Sequence, residues 1–223
     1  MFEYIAVHES VQRLRPDFAV LAMTAEGLGN GPSDDLSTGW LDVAGGRAAL
    51  EDPHVQAWRE AYAAFGAKPK RTRPSVDALL RRVDSLPAVN RVVDAYNAVS
   101  VEYALPIGGE DLDAYRGPAR LVRATGTEPF DTMADGVPAV EHPAAGEVVW
   151  CDDEGVTCRR WNWRQCVRTR ITESTKNGLF LFERLEPYSL DRLHAAAEDL
   201  AARLRVLAPD VRIEGRLIGP TDL

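Results

Sequence analysis

The apolar pattern of this chain changes period at Gly146. Ahead of that point apolar residues recur every three or four positions, at Val55, Trp58, Tyr62 and Phe65, at Val76, Leu79, Leu80 and Val83, and at Val92, Val93, Tyr96, Val99 and Tyr103. That spacing places each set on one face of a helix. Beyond it, Glu147 to Asp152 and Gly155 to Trp163 read as strands joined by the hairpin turn Asp152-Asp153-Glu154-Gly155, and Leu179 to Phe182 reads as another strand. Phe18 to Met23 and Val211 to Ile218 put strands near both ends. Before the second of these, Ser189 caps a helix whose apolar face is Leu190, Leu193, Ala197, Leu200, Leu204 and Leu207. Helices grouped in this way between terminal strands fit an α+β layered fold rather than regular βαβ winding.

The punctuation agrees with these elements. Gly66 closes the first helix, Pro74-Ser75 opens the second with Ser75 as its cap, and Pro87 ends it. The third helix runs from about Asn90 to Ala104, with Asp94, Asn97 and Val101 on a second side, and Pro106 stops it. Gly27 and Gly29-Asn30-Gly31 turn the first strand into a loop. Thr125 to Ala145, rich in Gly, Pro, Asp and Thr, reads either as a lid or as a mobile surface connection.

With 223 residues, 45% apolar and 27% charged, the chain can bury a good core as one domain, or one with a small appendage. It has no apolar run of about 18 residues, and its start, Met1-Phe2-Glu3-Tyr4-Ile5, lacks a signal peptide's basic and apolar regions, so a cytoplasmic protein without membrane contact is expected. Cys151, Cys158 and Cys166 are an odd set without Cys-x-x-Cys spacing. They read as reduced, buried or half-buried thiols, with Cys151 and Cys158 placed to face each other across the hairpin. His8, His54, His142 and His194 are too scattered to suggest a metal site, and no motif calls for a cofactor.

Charge is segregated. The net charge is -8, yet Gly66 to Val83 carries Lys68, Lys70, Arg71, Arg73, Arg81 and Arg82 against Asp77 alone, and Arg159 to Arg170 carries five arginines and no acid. Such stretches serve either as a phosphate-facing surface or as ordinary solvated faces. There is no Gly-x-Ser-x-Gly elbow, P-loop, Gly-x-Gly-x-x-Gly or His-Glu-x-x-His, so polar residues that bind a ligand or hold a water carry whatever chemistry there is.

Two groups qualify. Asn97 and Ser100 lie on the third helix, and Pro106, Gly108, Gly109, Glu110 and Asp111 follow in a glycine turn where backbone amides can approach a ligand. Glu110 or Asp111 can act as a general base if burial raises its pKa, while the rival reading makes this a tight turn followed by a capping pair. The second group is Arg159 to Gln165 continuing through Arg168-Thr169-Arg170. As a strand it sends Arg160, Asn162 and Arg164 one way and Trp161 and Trp163 the other, the tryptophans serving as core or as stacking surfaces.

These residues also carry a family resemblance. The stretches Ala64 to Ser75, Val93 to Ser100, Leu105 to Asp113 and Trp161 to Gln165 resemble stand-alone proteins built from the B3/B4 domain of the phenylalanyl-tRNA synthetase β subunit. The likeness to the synthetase itself is looser, resting on Val93-Asp94, Asn97, Val99, Glu102, Pro106 and the Thr175 to Glu183 strand entry. The resemblance implies a three-layer β-β-α sandwich forming a single domain over 1–223, with an N-terminal strand and extension to about residue 50, a core match over 58–183 and a C-terminal helix and strand over 189–218.

In the synthetase this domain hydrolyses tyrosine wrongly attached to the phenylalanine tRNA. The resemblance therefore implies tRNA or aminoacyl-tRNA as partner and a free-standing editing hydrolase, or alternatively a tRNA- or amino-acid-binding module that has lost the chemistry. Glu110 and Asp111 would be catalytic. Asn97, Ser100, Pro106, Gly108, Gly109, Asn162, Arg164, Gln165 and Thr169 would bind substrate, and Lys68, Lys70, Arg71, Arg73 and Arg168 would meet RNA phosphates. Two departures stand out. Gly108 occupies the place of a synthetase histidine, and Gln165-Cys166-Val167 replaces a Gly-Gly-Glu stretch. The chain has no room for an aminoacylation domain, so synthetase activity is not implied, and the oligomeric state is left open.

Overall fold

The computed structural model describes residues 5–48, 51–68 and 71–220. At its centre lie two long paired strands, β2 (Ala19–Glu26) and β10 (Asn177–Arg184), flanked by β11 (Arg212–Ile218) on one side and β3 (Ile107–Asp111) on the other, antiparallel throughout. A second sheet runs in the order β1 (Ala6–Val7), β4 (Arg120–Arg123), β7 (Val148–Cys151), β8 (Val156–Arg159) and β9 (Arg164–Gln165), with only the β1 and β4 pair parallel. The helices are α1 (Glu9–Gln12), α2 (Asp35–Arg47), α3 (Pro53–Ala64), α4 (Ser75–Leu80), α5 (Arg91–Tyr103) and α6 (Leu190–Leu207).

Strand alternation builds the layers. Leu21, Met23 and Ala25 of β2, with Phe180 and Phe182 of β10, pack under Val92, Tyr96 and Val99 of α5 and Leu193, Leu200 and Leu204 of α6. The intervening Val20, Ala22, Leu179 and Leu181 pack on Leu121, Val148, Trp150 and Cys158 of the second sheet. Covering both faces explains why β2 and β10 read as unbroken apolar runs. Burial of Phe180 and Phe182 alone contributes about 1.5–3 kcal/mol each. The order is helices, sheet, sheet, and the fold is α+β of the three-layer β-β-α kind. No helix among the described residues is long and apolar enough to cross a membrane.

Helix α5 is buried nearly all round, because α2 and α4 cover its outer side through Leu41, Val76 and Leu80 against Ala98 and Val101. This places Asp94 in the interior, where Ser37 Oγ and Val89 N each donate to it at 2.8 Å. Asn90 caps the start by accepting from Val93 N at 3.0 Å. At the other end Ala104 takes a left-handed conformation (φ 50°), and Ser100 Oγ donates to Leu105 O at 2.6 Å. The chain then turns directly into β3.

Five expectations need correction. Ser75 does not cap α4: Pro74 is its N-cap and no side chain bonds there, Ser75 being the first residue of the helix. Helix α2 falls in the stretch expected to be an extension after the first strand; a Cβ on its Gly45 would come within 2.9 Å of Val83 O, so the glycine permits close packing. The segment Thr125 to Ala145 holds a hairpin, β5 (Phe130–Ala134) and β6 (Val137–Glu141), anchored by the buried Phe130. The strand expected to reach Trp163 stops at Arg159, where Arg160 and Trp161 adopt left-handed φ values of 47° and 69°. Cys151 and Cys158 do not face each other, being paired with Val156 and Trp150 respectively; all three cysteines are buried and free.

Candidate functional site

β3 and β9 are edge strands of the two sheets, and they meet at the same side of the sandwich, where Gln165 Nε2 donates to Gly109 O at 2.6 Å. A cavity of about 240 Å³ lies there, walled by α4, α5, β3, β10 and the turn from Trp161 to Arg164. Alternation along β3 decides which residues reach it. Ile107 and Gly109 pack toward α5, with Ile107 also touching the cavity, whereas Gly108 and Glu110 turn toward the second sheet and line it. A Cβ on Gly109 would lie 2.6 Å from Tyr96 Cε1, so this glycine serves packing against the helix, while Gly108 faces open space with Gln165 Nε2 at 3.8 Å.

Glu110 is almost fully buried in the cavity wall. The Tyr115 hydroxyl donates to its Oε2, and the hydroxyls of Thr157 and Thr169 nearby favour its ionised form. Burial outweighs them and pushes the carboxyl up to about 7. A second acid, Glu183 at the end of β10, shares the cavity. Trp150 Nε1 donates to its Oε1 and Asn162 Nδ2 to its Oε2, each at 2.7 Å, and Pro106 O accepts from its backbone N–H at 3.0 Å. Burial, with the charge of Glu110 adding to it, raises Glu183 to about 7 as well. Two acids whose pKa lies near neutrality can each hold or release a proton at working pH.

Asn97, Gly108, Glu110, Asn162, Arg164 and Gln165 thus come together around one cavity. Asn97 is half-buried on α5 and its amide forms no hydrogen bond with described residues. Arg164 donates to both oxygens of Glu141 at 3.1 Å and lies over the rings of Trp163 and Phe130. Other expected members lie elsewhere. Asp111 accepts from Thr175 Oγ1 at 2.7 Å and caps the short turn at Leu112–Ala114, away from the cavity lining. Ser100 is tied to Leu105 O, Gly109 faces Tyr96, and Pro106 acts through its carbonyl on Glu183. Thr169 is buried outside the lining, its Oγ1 3.2 Å from Cys166 Sγ, and close enough to Glu110 to favour its ionised form.

The expected phosphate ligands divide similarly. Arg168 grips both oxygens of the buried Asp152 at 2.8 and 2.9 Å, and Arg73 lies 3.5 Å from Asp77, which also holds Arg59 and Arg81. Lys68 and Arg71 are exposed, form no ion pair with described residues, and line a depression with Arg160. Arg160 stacks 4.3 Å over Trp163, whose other contacts include the cavity, so the basic depression adjoins the site. Arg82 reaches the cavity from α4. Lys70 lies outside the described residues.

Sequence reading missed Glu183, Trp150 and Tyr115. Glu183 had a signal: continuing the alternation of Leu179 and Leu181 places a charged residue on a face that is otherwise buried. Tyr115 had none, because its reach to Glu110 depends on the turn after β3.

Comparison with known proteins follows the same region. The B3/4 domain family matches residues 57–204. Among solved structures, the chain is similar to an N-terminal fragment of the phenylalanyl-tRNA synthetase β-subunit from Pyrococcus horikoshii, at 16% identity and a TM-score of 0.46, over 96% of this chain and 49% of that one. The chain therefore spans about half the length of that fragment. No match is found among curated proteins.

Proposed function

The chain belongs to the B3/4 domain family, and on that premise we propose that it acts on aminoacyl-tRNA, taking the aminoacyl group into the cavity between the sheets and hydrolysing its ester. The observation that carries this reading is Glu110, a carboxyl buried in the cavity wall with its pKa raised to about 7. As carboxylate, Glu110 takes a proton from a water molecule while the water oxygen attacks the ester carbonyl carbon. The resulting oxyanion accepts hydrogen bonds from amide donors that line the cavity, a role this reading gives to Asn97 and Gln165. The carbon–oxygen bond to the ribose then breaks, and the proton on Glu110 passes to the leaving hydroxyl. A positioned base of this kind contributes about 10²–10⁴-fold, which is useful for an ester that is already activated. The basic depression of Lys68, Arg71 and Arg160 supports an approach by phosphates beside the cavity.

Gly108, in the place of the synthetase histidine, favours a second reading in which the cavity binds the amino acid without cleaving it. A panel of aminoacyl-tRNAs separates the two. Faster release of amino acid than in buffer, lost in Glu110→Gln, supports hydrolysis. Saturable binding with no acceleration for any member overturns hydrolysis and leaves the binding module.

A further inference from the structure

The cavity contains two buried acids that are ion-paired to no described residue, although two arginines line it: Arg164 is held by Glu141, and Arg82 forms no ion pair with a described residue. Asp77, Asp152 and Glu147, also buried, each hold an arginine at 2.7 to 2.9 Å. Glu183 and Glu110 form no ion pair with any described residue, although both are about as inaccessible. Each oxygen of Glu183 receives one neutral donor, from Trp150 and from Asn162, which fixes the carboxylate in the cavity wall and leaves each oxygen able to accept a further bond. A buried carboxylate held in this way needs either a proton or a cation.

The same cavity has the opposite imbalance among its donors. Trp161 is wholly buried in the wall and its indole N–H has no acceptor, and Ser75 Oγ and Arg164 Nε, both buried atoms of lining residues, also have no partner. Acids without an ion pair and donors without an acceptor among the described residues, around about 240 Å³, suit a ligand that bears an ammonium group next to a carbonyl.

We propose that Glu183 receives the free α-ammonium group of the ligand, so that the cavity accepts α-amino acyl groups and rejects those whose amine is acylated. This rests on the reading of the cavity as an aminoacyl site, and it assigns recognition to Glu183 and leaves the water to Glu110. Charge supports the division: an ammonium beside Glu183 stabilises its ionised form, and a Glu183 that is protonated beforehand releases its proton to solvent on binding.

The test uses the whole chain with amino-acid amides carrying small, aliphatic, aromatic and basic side chains, each paired with its N-acetyl derivative, measured by calorimetry at pH 6 in two buffers of different ionisation enthalpy. The expected result is that at least one amide binds, that N-acetylation weakens it about tenfold or more, as loss of a charge-assisted bond implies, and that binding releases protons. In Glu183→Gln the amine preference and the proton release both fall away, whereas Glu110→Gln keeps the preference. If Glu183→Gln fails to fold, the paired amides and proton release on the native chain still decide. Equal binding of free and acetylated forms, binding of neither, or a preference that survives in Glu183→Gln overturns the proposal. Hydrolysis of aminoacyl-tRNA and of its N-acetylated counterpart at equal rates would overturn it while leaving ester hydrolysis intact. Amine-dependent binding without any hydrolysis would do the reverse.

Discussion

Asn162 Nδ2 donates to Glu183 Oε2 at 2.7 Å, while Asn162 Oδ1 accepts from the Tyr62 hydroxyl at 2.8 Å and from the Ser75 backbone N–H at 3.3 Å. One amide therefore joins α3, the start of α4 and the end of β10. It reaches this position because Arg160 and Trp161 turn through left-handed conformations just before it. Replacing Asn162 by Ala should leave the Tyr62 hydroxyl, which is fully buried, without an acceptor and remove a donor from Glu183. We expect a loss of about 2–4 kcal/mol in urea unfolding. A loss below about 1 kcal/mol would mean that water replaces the amide.

The two buried glutamates should make stability fall as pH rises. Glu110 and Glu183 are each raised from an ordinary 4.5 to about 7, first by burial. Between those values the folded chain holds protons that the unfolded chain has lost, so their contribution is full below 4.5 and is lost as pH rises to about 7. The groups coupled to these acids include Cys158, Tyr62, Tyr96 and Tyr115, all pushed up first by burial, and Asp152, whose charge raises Glu110 further. His54 slopes the other way. Its Nδ1–H donates to Ala104 O and its Nε2 accepts from Trp58 and Leu185, and burial lowers it to about 4, so it favours folding increasingly from pH 4 to 6.5. The clean readout is thus a difference: Glu183→Gln minus native should gain on the order of 1–3 kcal/mol from pH 4.5 to 7.5 and then level off. A flat difference across that range would contradict the assignment.

Adjacent glycines should separate stability from activity. Gly109→Ala forces a Cβ to within 2.6 Å of Tyr96 Cε1 and 3.0 Å of Ile171 Cδ1, and should cost about 1–3 kcal/mol by overpacking. Gly108→Ala meets only Gln165 Nε2 at 3.8 Å, so its melting temperature should stay near native. Its methyl group enters the cavity, and aminoacyl-tRNA hydrolysis or ligand affinity should drop several-fold. Equal effects of the two on stability would show that β3 does not hold the alternation described.

How much of this could be read from sequence follows from the range of each interaction. Helices α3, α5 and α6 and strands β2 and β10 were legible, because period and caps such as Asn90 and Ser189 are local signals. Helix α2 was not, since the one of its glycines that packs closely, Gly45, does so against Val83, far along the chain. In the site, Asn97, Gly108 and Glu110 were found through their place on a helix and the turn after it. Glu183 was passed over because its meaning depends on Asn162 and Trp150, far along the chain. The arginine-rich stretch misled for the same reason. Its charge looked uncompensated along the sequence, yet Glu141, Glu147 and Asp152 supply the partners in three dimensions.

That last point separates arginines that build the fold from cations free to meet a polyanion. Asp152 is buried, which works against its charge, but Arg168 and the backbone N–H groups of Arg116, Gly155 and Glu154 hold its pKa below the usual range. The result is the hairpin turn between β7 and β8. Arg168→Ala strands this carboxylate and should destabilise the chain by on the order of 3 kcal/mol, with any effect on tRNA following from unfolding. Lys68 and Arg71 are exposed and form no ion pair with described residues, so Lys68→Glu with Arg71→Glu should leave the melting temperature within about 2 °C of native. If the depression beside the cavity meets phosphates, this pair should weaken tRNA binding without sequence preference and reduce the slope of log affinity against log salt by about 2, close to one per cation removed. Filter binding across a salt series reads both quantities. An unchanged slope would place RNA contacts elsewhere or remove RNA from the account, while the cavity's claim on an aminoacyl group would then rest on the amide panel alone.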